Sequence, residues 1–84
     1  MRETIVVTGA TGFLGRGLCD AFVAAGYDVT GLDVNPPTEP VGWRFVPTDV
    51  RDAHAVGRTI SGADIVVNNA ALVPVTRSTL EQYR

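Results

Sequence analysis

Apolar positions in this chain gather into short runs separated by glycine- and proline-rich breaks. Thr4-Ile5-Val6-Val7-Thr8 is a compact β-branched run, the pattern of a strand buried on both faces of a parallel sheet. From Phe13 to Ala25 the apolar residues Leu14, Leu18, Ala21, Phe22 and Ala25 recur at helical spacing, and Gly26 supplies a stop. Gly17 weakens that helix, and close packing on a sheet is the expected reason for it. Asp28 to Asp33 reads as a second strand, Trp43 to Pro47 as a third, and Asp64 to Asn69 as a fourth, buried one. Between the third and fourth strands, 52–61 reads as a short helix with Asp52 as N-cap and Gly62 as stop. Ser78-Thr79-Leu80-Glu81 fits a capping box and predicts another helix start.

Strands alternating with helices predict a Rossmann-type α/β domain: a parallel sheet of about four strands with flanking helices. The second-to-third connection is the exception. Pro36, Pro37 and Pro40 fall between those strands, so an extended crossing is expected there in place of a helix. The chain has 84 residues, below the ~100–150 of a common domain, and its last predicted helix has barely begun at Arg84. Residues 1–84 are therefore expected to be the N-terminal part of such a Rossmann domain, with its C-terminal portion outside them.

Composition narrows the function classes. A formal net charge of −2 with 19% charged residues argues against nucleic acid as a partner. No apolar run reaches the ~20 residues of a membrane span, and the N-terminus lacks a signal peptide pattern, so a cytoplasmic location is expected. Cys19 is the one cysteine, which excludes an internal disulfide and a thiolate-rich zinc site, so no metal is expected. Its position in a helix predicts a small packed apolar side chain.

The chemistry concentrates in Thr8-Gly9-Ala10-Thr11-Gly12-Phe13-Leu14-Gly15. Three glycines at intervals of three sit between a strand and a helix, the context that gives a glycine-rich loop its meaning. Gly9 permits a tight turn, Gly12 lets backbone approach a pyrophosphate, Gly15 lets helix and strand pack closely, and the helix N-terminus favours an anion. No Gly-Lys-Ser/Thr follows, so a P-loop is disfavoured. Asp33 ends the second strand, where a carboxylate accepts from both adenosine ribose hydroxyls and repels a 2′-phosphate. Val34 and Asn35 follow it rather than arginine, which favours NAD over NADP. Asp49 ends the third strand, placed to accept from the adenine amine. Asn69, Ala70 and Ala71 end the fourth, where small residues leave room for the inner ribose.

Together these segments resemble the extended branch of the short-chain dehydrogenase/reductase superfamily, the NAD-dependent epimerase/dehydratase family. The matching stretches are T-G-A-T-G-F-L-G, Asp33, T-D-V-R-D at 48–52 and V-V-N-N-A-A-L at 66–72. Asn68-Asn69-Ala70 is closer to the classical branch, while the loop motif and proline-rich crossing favour the extended one. The resemblance implies that Gly9, Thr11, Gly12 and Gly15 build the cofactor loop. It further implies that Phe13 and Leu14 offer backbone N–H groups to the pyrophosphate, that Asp33 holds the ribose, that Asp49 and Val50 hold adenine, and that Ala70 and Ala71 border the nicotinamide ribose.

The expected parent is an NAD-dependent epimerase, dehydratase or oxidoreductase acting on a nucleotide sugar, as a homodimer. A non-catalytic NAD-sensing module and an NADP-linked reductase of the same superfamily are the alternatives. The family's Tyr-x-x-x-Lys does not occur in this chain, which has Tyr27, Tyr83 and no lysine, so no catalytic residue is assigned within it. His54 reads as solvent-facing, and Ser78 as a helix cap.

Overall fold

The computed structural model describes residues 2–49 and 51–69. The elements run β1 (Thr4–Thr8), α1 (Phe13–Ala24), β2 (Asp28–Asp33), β3 (Arg44–Pro47), α2 (Ala53–Ile60) and β4 (Ile65–Asn68). The strands form one parallel sheet in the order β3-β2-β1-β4. The expected α/β architecture is the observed one. Residues 34–43, between β2 and β3, contain no helix, as their prolines predict.

The register explains the core. Ile5 and Val7 lie beside Val29 and Gly31 of β2, and Val7 lies beside Val67 of β4. Alternation along strands puts these residues on one face. There they pack with Ala10, Cys19 and Trp43, with Phe22, Val23, Tyr27, Val41 and Phe45 around them. Cys19 is fully buried, in the apolar role expected of it, and burial, aided by the Asp20 charge, pushes its thiol up to about 12. Trp43 packs against Gly31, where a Cβ would collide with its ring and with Ala10. Its indole Nε1–H donates to Asp20 Oδ1 at 3.2 Å, tying the crossing to α1.

Glycine closes α1 and an aspartate opens α2. Gly26 adopts φ of 95°, its N–H reaching Val23 O at 3.0 Å while Tyr27 N–H reaches Phe22 O at 3.1 Å. This is the paired C-terminal closure that a left-handed glycine allows. Asp52 caps α2 as expected, its side chain accepting from Ala55 N–H at 3.1 Å.

Three expectations need correction. The buried line of α1 runs through Gly15 and Cys19, with Phe22 and Val23 half-buried, while Leu14, Ala21 and Ala25 are exposed. The helix carries apolar residues on more than one face, and contact at Gly15 decides which face turns inward. Gly17 is exposed and a Cβ there would meet nothing within 4 Å, so sheet packing does not explain it. β4 is not buried on both faces: Ile65 is 38% and Val66 45% exposed. Among the described residues β4 is an edge strand with β1 as its neighbour. The helix start expected at Ser78 lies outside the described residues.

Candidate functional site

In a parallel sheet every strand delivers its C-terminal end to the same edge, and the connections leaving that edge form the site. Here β1 delivers Gly9 to Gly12, β2 delivers Asp33, β3 delivers Asp49 and β4 delivers Asn69.

The glycine loop turns sharply at Gly9, whose φ of 67° suits a residue without a Cβ. The turn closes with Gly12 N–H donating to Gly9 O at 3.3 Å. Ala10 N–H donates to Leu32 O at 3.1 Å, fastening the loop to the end of β2. Gly15 sits directly over the turn. A Cβ there would strike the Gly9 carbonyl and lie 2.7 Å from Asn69 Nδ2. The close approach anticipated for Gly15 is therefore to the loop itself. Asn69 braces the same point, its Nδ2 donating to Gly9 O at 3.1 Å. Asn69 Oδ1 is buried without a hydrogen-bond partner among the described residues.

Gly12 differs from Gly15. It is exposed, and a Cβ would meet only Gly9 O at an ordinary 3.6 Å. Gly12 is the N-cap of α1, with no side-chain cap and no acidic residue in the first turn. The N–H groups of the first turn have no partner within a helix, and the dipole leaves partial positive charge there. Phe13 and Leu14 carry two of those N–H groups. Their side chains are exposed, Phe13 completely.

Asp33 is half-buried beside the loop. Thr11 donates to its Oδ2 from both the backbone N–H, at 3.1 Å, and the hydroxyl, at 2.8 Å, while Val34 N–H donates to Oδ1 at 2.8 Å. Its carbonyl accepts from Thr48 N–H at 2.8 Å, joining the ends of β2 and β3. Asp49 is gripped by Arg51. The guanidinium reaches Oδ2 from Nη2 at 2.7 Å, Nε lies 3.1 Å from Oδ1, and Arg51 N–H donates to Oδ1 at 2.9 Å. These bonds hold the Asp49 carboxyl down at about 2. Val50, Ala70 and Ala71 lie outside the described residues.

Sequence reading named most of the loop but missed the bonds between its parts. Arg51 on Asp49 was signalled by Asp-x-Arg in a turn. Thr8, whose hydroxyl donates to Asn68 Oδ1 at 2.8 Å, and Thr48 open the loop motif and the T-D-V-R-D stretch, but nothing in those motifs signals the bonds they make. At the opposite ends of the strands a groove of about 570 Å³ opens between Arg2, Tyr27, Asp28, Trp43 and Arg44. It has none of the loop's chemistry. Among the described residues no cluster of three or more His, Cys, Asp or Glu side chains is arranged to hold a metal. No helix there is long and apolar enough to cross a membrane.

The sequence model of the NAD dependent epimerase/dehydratase family matches residues 5–83. The chain belongs to this family. It is 33% identical, over all 84 of its residues, to the dTDP-4-dehydrorhamnose reductase of Mycolicibacterium smegmatis, covering 22% of that protein. Its fold matches TunA, described as an NAD-dependent NDP-hexosamine 5,6-dehydratase, with a TM-score of 0.69 and 33% identity, over 95% of this chain and 27% of that one. It also matches a short-chain dehydrogenase/reductase superfamily protein of Agrobacterium tumefaciens with bound NAD, with a TM-score of 0.73 and 26% identity, over 95% of this chain and 24% of that one. The chain spans 8% of the length of the curated relatives to which it is 42% identical.

Proposed function

We propose that this chain holds the adenosine diphosphate half of NAD for a parent enzyme that acts on a nucleotide sugar. One observation carries the cofactor reading. The uncapped N-terminus of α1 lies behind an exposed Gly12, with the Asp33 carboxylate fastened beside it. A pyrophosphate needs the first feature and a ribose needs the second. A Cβ-free surface over unpaired N–H groups fits that group without rearrangement.

Each part of the chain then has a task. Gly9 shapes the turn, Gly15 and Asn69 hold α1 against it, and Gly12 keeps the approach open. Phe13 and Leu14 donate backbone N–H groups to the pyrophosphate. Asp33 accepts from the adenosine ribose and repels a 2′-phosphate, which makes NAD the preferred cofactor. Asp49 and Val50 border adenine, with Arg51 fixing the Asp49 carboxylate, and Ala70 and Ala71 border the inner ribose. The bound nicotinamide supplies hydride transfer, the chemistry common to epimerases, dehydratases and reductases.

The nucleotide-sugar class is supported by the names of two relatives, a dTDP-sugar reductase and an NDP-hexosamine dehydratase. The first of these also supports a second reading, in which the parent is a reductase that consumes reduced cofactor. The parent protein should be incubated with UDP- and dTDP-hexoses, with NAD or NADH, and followed by proton NMR and absorbance at the NADH band. Sugar conversion without net NADH change supports an epimerase or dehydratase, and stoichiometric NADH loss supports the reductase. NAD binding without turnover of any sugar would overturn the substrate assignment.

A further inference from the structure

Thr11 and Asp33 are joined by more bonds than loop closure requires. Both donors of Thr11, backbone and hydroxyl, go to the same oxygen, Oδ2, and Val34 N–H takes one position on Oδ1. An ionised carboxylate offers about four acceptor positions, two on each oxygen. The protein therefore fills Oδ2 and leaves one position, on Oδ1. Both residues are half-buried, and the bonds of Thr11 fix the carboxylate against rotation.

We propose that Thr11 is the positioning residue for cofactor selection: it locks Asp33 in the one orientation that accepts a ribose hydroxyl and cannot turn away from a 2′-phosphate. The inference rests on the reading of Asp33 as the ribose acceptor. Two consequences follow from the geometry. With Oδ2 filled by Thr11, the position left open to a ribose hydroxyl is on Oδ1. A carboxylate freed from the Thr11 hydroxyl keeps its charge and its bonds from the Thr11 and Val34 N–H groups, but it loses one of three restraints and is held more loosely. It then binds the ribose with a larger ordering cost and relieves its repulsion of a 2′-phosphate by swinging aside. Selectivity thus depends on a hydroxyl that touches Asp33.

Because Thr11 N–H is one of the two donors, Asp33 is also a latch on the phosphate loop. Truncating Asp33 removes the acceptor for the loop as well as for the ribose. Truncating only the Thr11 hydroxyl leaves the N–H latch in place, which makes Thr11 the cleaner site for a test.

The test is calorimetric titration of the parent protein with NAD and with NADP, for wild type, Thr11→Val and Thr11→Ser. Valine keeps the shape and the backbone donor but removes the hydroxyl. The ratio of the NADP to the NAD dissociation constant should fall about tenfold in Thr11→Val, equal to about 1.4 kcal/mol. It should return to within about twofold of wild type in Thr11→Ser, which restores the donor. Circular dichroism melts check folding, and Thr11→Ala is read in the same way if the valine variant does not fold. Equal weakening of both cofactors, or an unchanged ratio, would overturn the proposal and leave Thr11 a loop-shaping residue. Failure of the wild-type parent to bind NAD would instead overturn the cofactor reading beneath it.

Discussion

Gly15 and Gly17 sit two residues apart on α1, and alanine should have opposite effects at the two. At Gly15 a Cβ has no space: the Gly9 carbonyl blocks it and Asn69 Nδ2 lies 2.7 Å away. Overpacking of a tight contact costs about 1–3 kcal/mol. Displacing Asn69 forfeits its 3.1 Å bond to Gly9, and such a bond is worth about 1 kcal/mol. The gain in helix propensity from glycine to alanine returns about 1 kcal/mol. The balance is a destabilisation of about 2 kcal/mol, together with loss of NAD affinity, because the shift pushes α1 away from the loop it supports. At Gly17 a Cβ meets nothing within 4 Å, so Gly17→Ala should stabilise by about 0.5–1 kcal/mol. Urea unfolding of the parent protein, followed by circular dichroism, measures both. Equal stability of the two variants would refute the assignment of Gly15 as the packing contact.

Gly12→Val should remove NAD binding by at least about a hundredfold with a stability cost of no more than about 1 kcal/mol, since its Cβ meets only Gly9 O, at an ordinary 3.6 Å, and the N-cap preference is lost; a variant that still binds NAD in calorimetry would exclude Gly12 as the pyrophosphate approach. Cys19 has a folded-state pKa of about 12 against an ordinary value of 9.0. The folded state therefore holds its proton more tightly, so stability is intact below pH 9 and falls as pH rises toward 12. Melting midpoints should decline over that window, and Cys19→Ala should flatten the decline; equal slopes for the two proteins would contradict the burial argument.

The parts of this fold that were legible in the sequence are those decided locally. β1 matches its β-branched run and β2 the stretch read as a strand, α2 begins at the Asp52 cap, and α1 ends at Gly26. The proline-rich crossing follows from ring geometry alone. What escaped the sequence was decided by contacts across the fold. The inward face of α1 could not be chosen by periodicity, because Leu14-Leu18-Ala21-Ala25 and Gly15-Cys19-Phe22-Val23 are both helical stripes. The close approach of Gly15 to Gly9 selects the second. Gly31 reads as an ordinary strand glycine until Trp43, from the next connection, lies across it.

The site divides in the same way. The spacing of Gly9, Gly12 and Gly15 and the place of Asp33 at a strand end mark a dinucleotide loop without any structure. The bonds that unite them, Thr11 to Asp33 and Asn69 to Gly9, link residues 22 and 60 positions apart. No local pattern encodes such bonds. They turn a set of separately placed residues into one braced surface.

The Gly9–Gly15 loop and Asp33 are proposed to bind NAD through its adenosine half and to discriminate against NADP. Isothermal titration of the full-length parent with NAD, NADP and ADP-ribose tests it directly. NAD and ADP-ribose should bind with comparable affinity and NADP at least about tenfold more weakly, a difference of about 1.4 kcal/mol. NADP binding as tightly as NAD, or ADP-ribose failing to bind where NAD does, would contradict it.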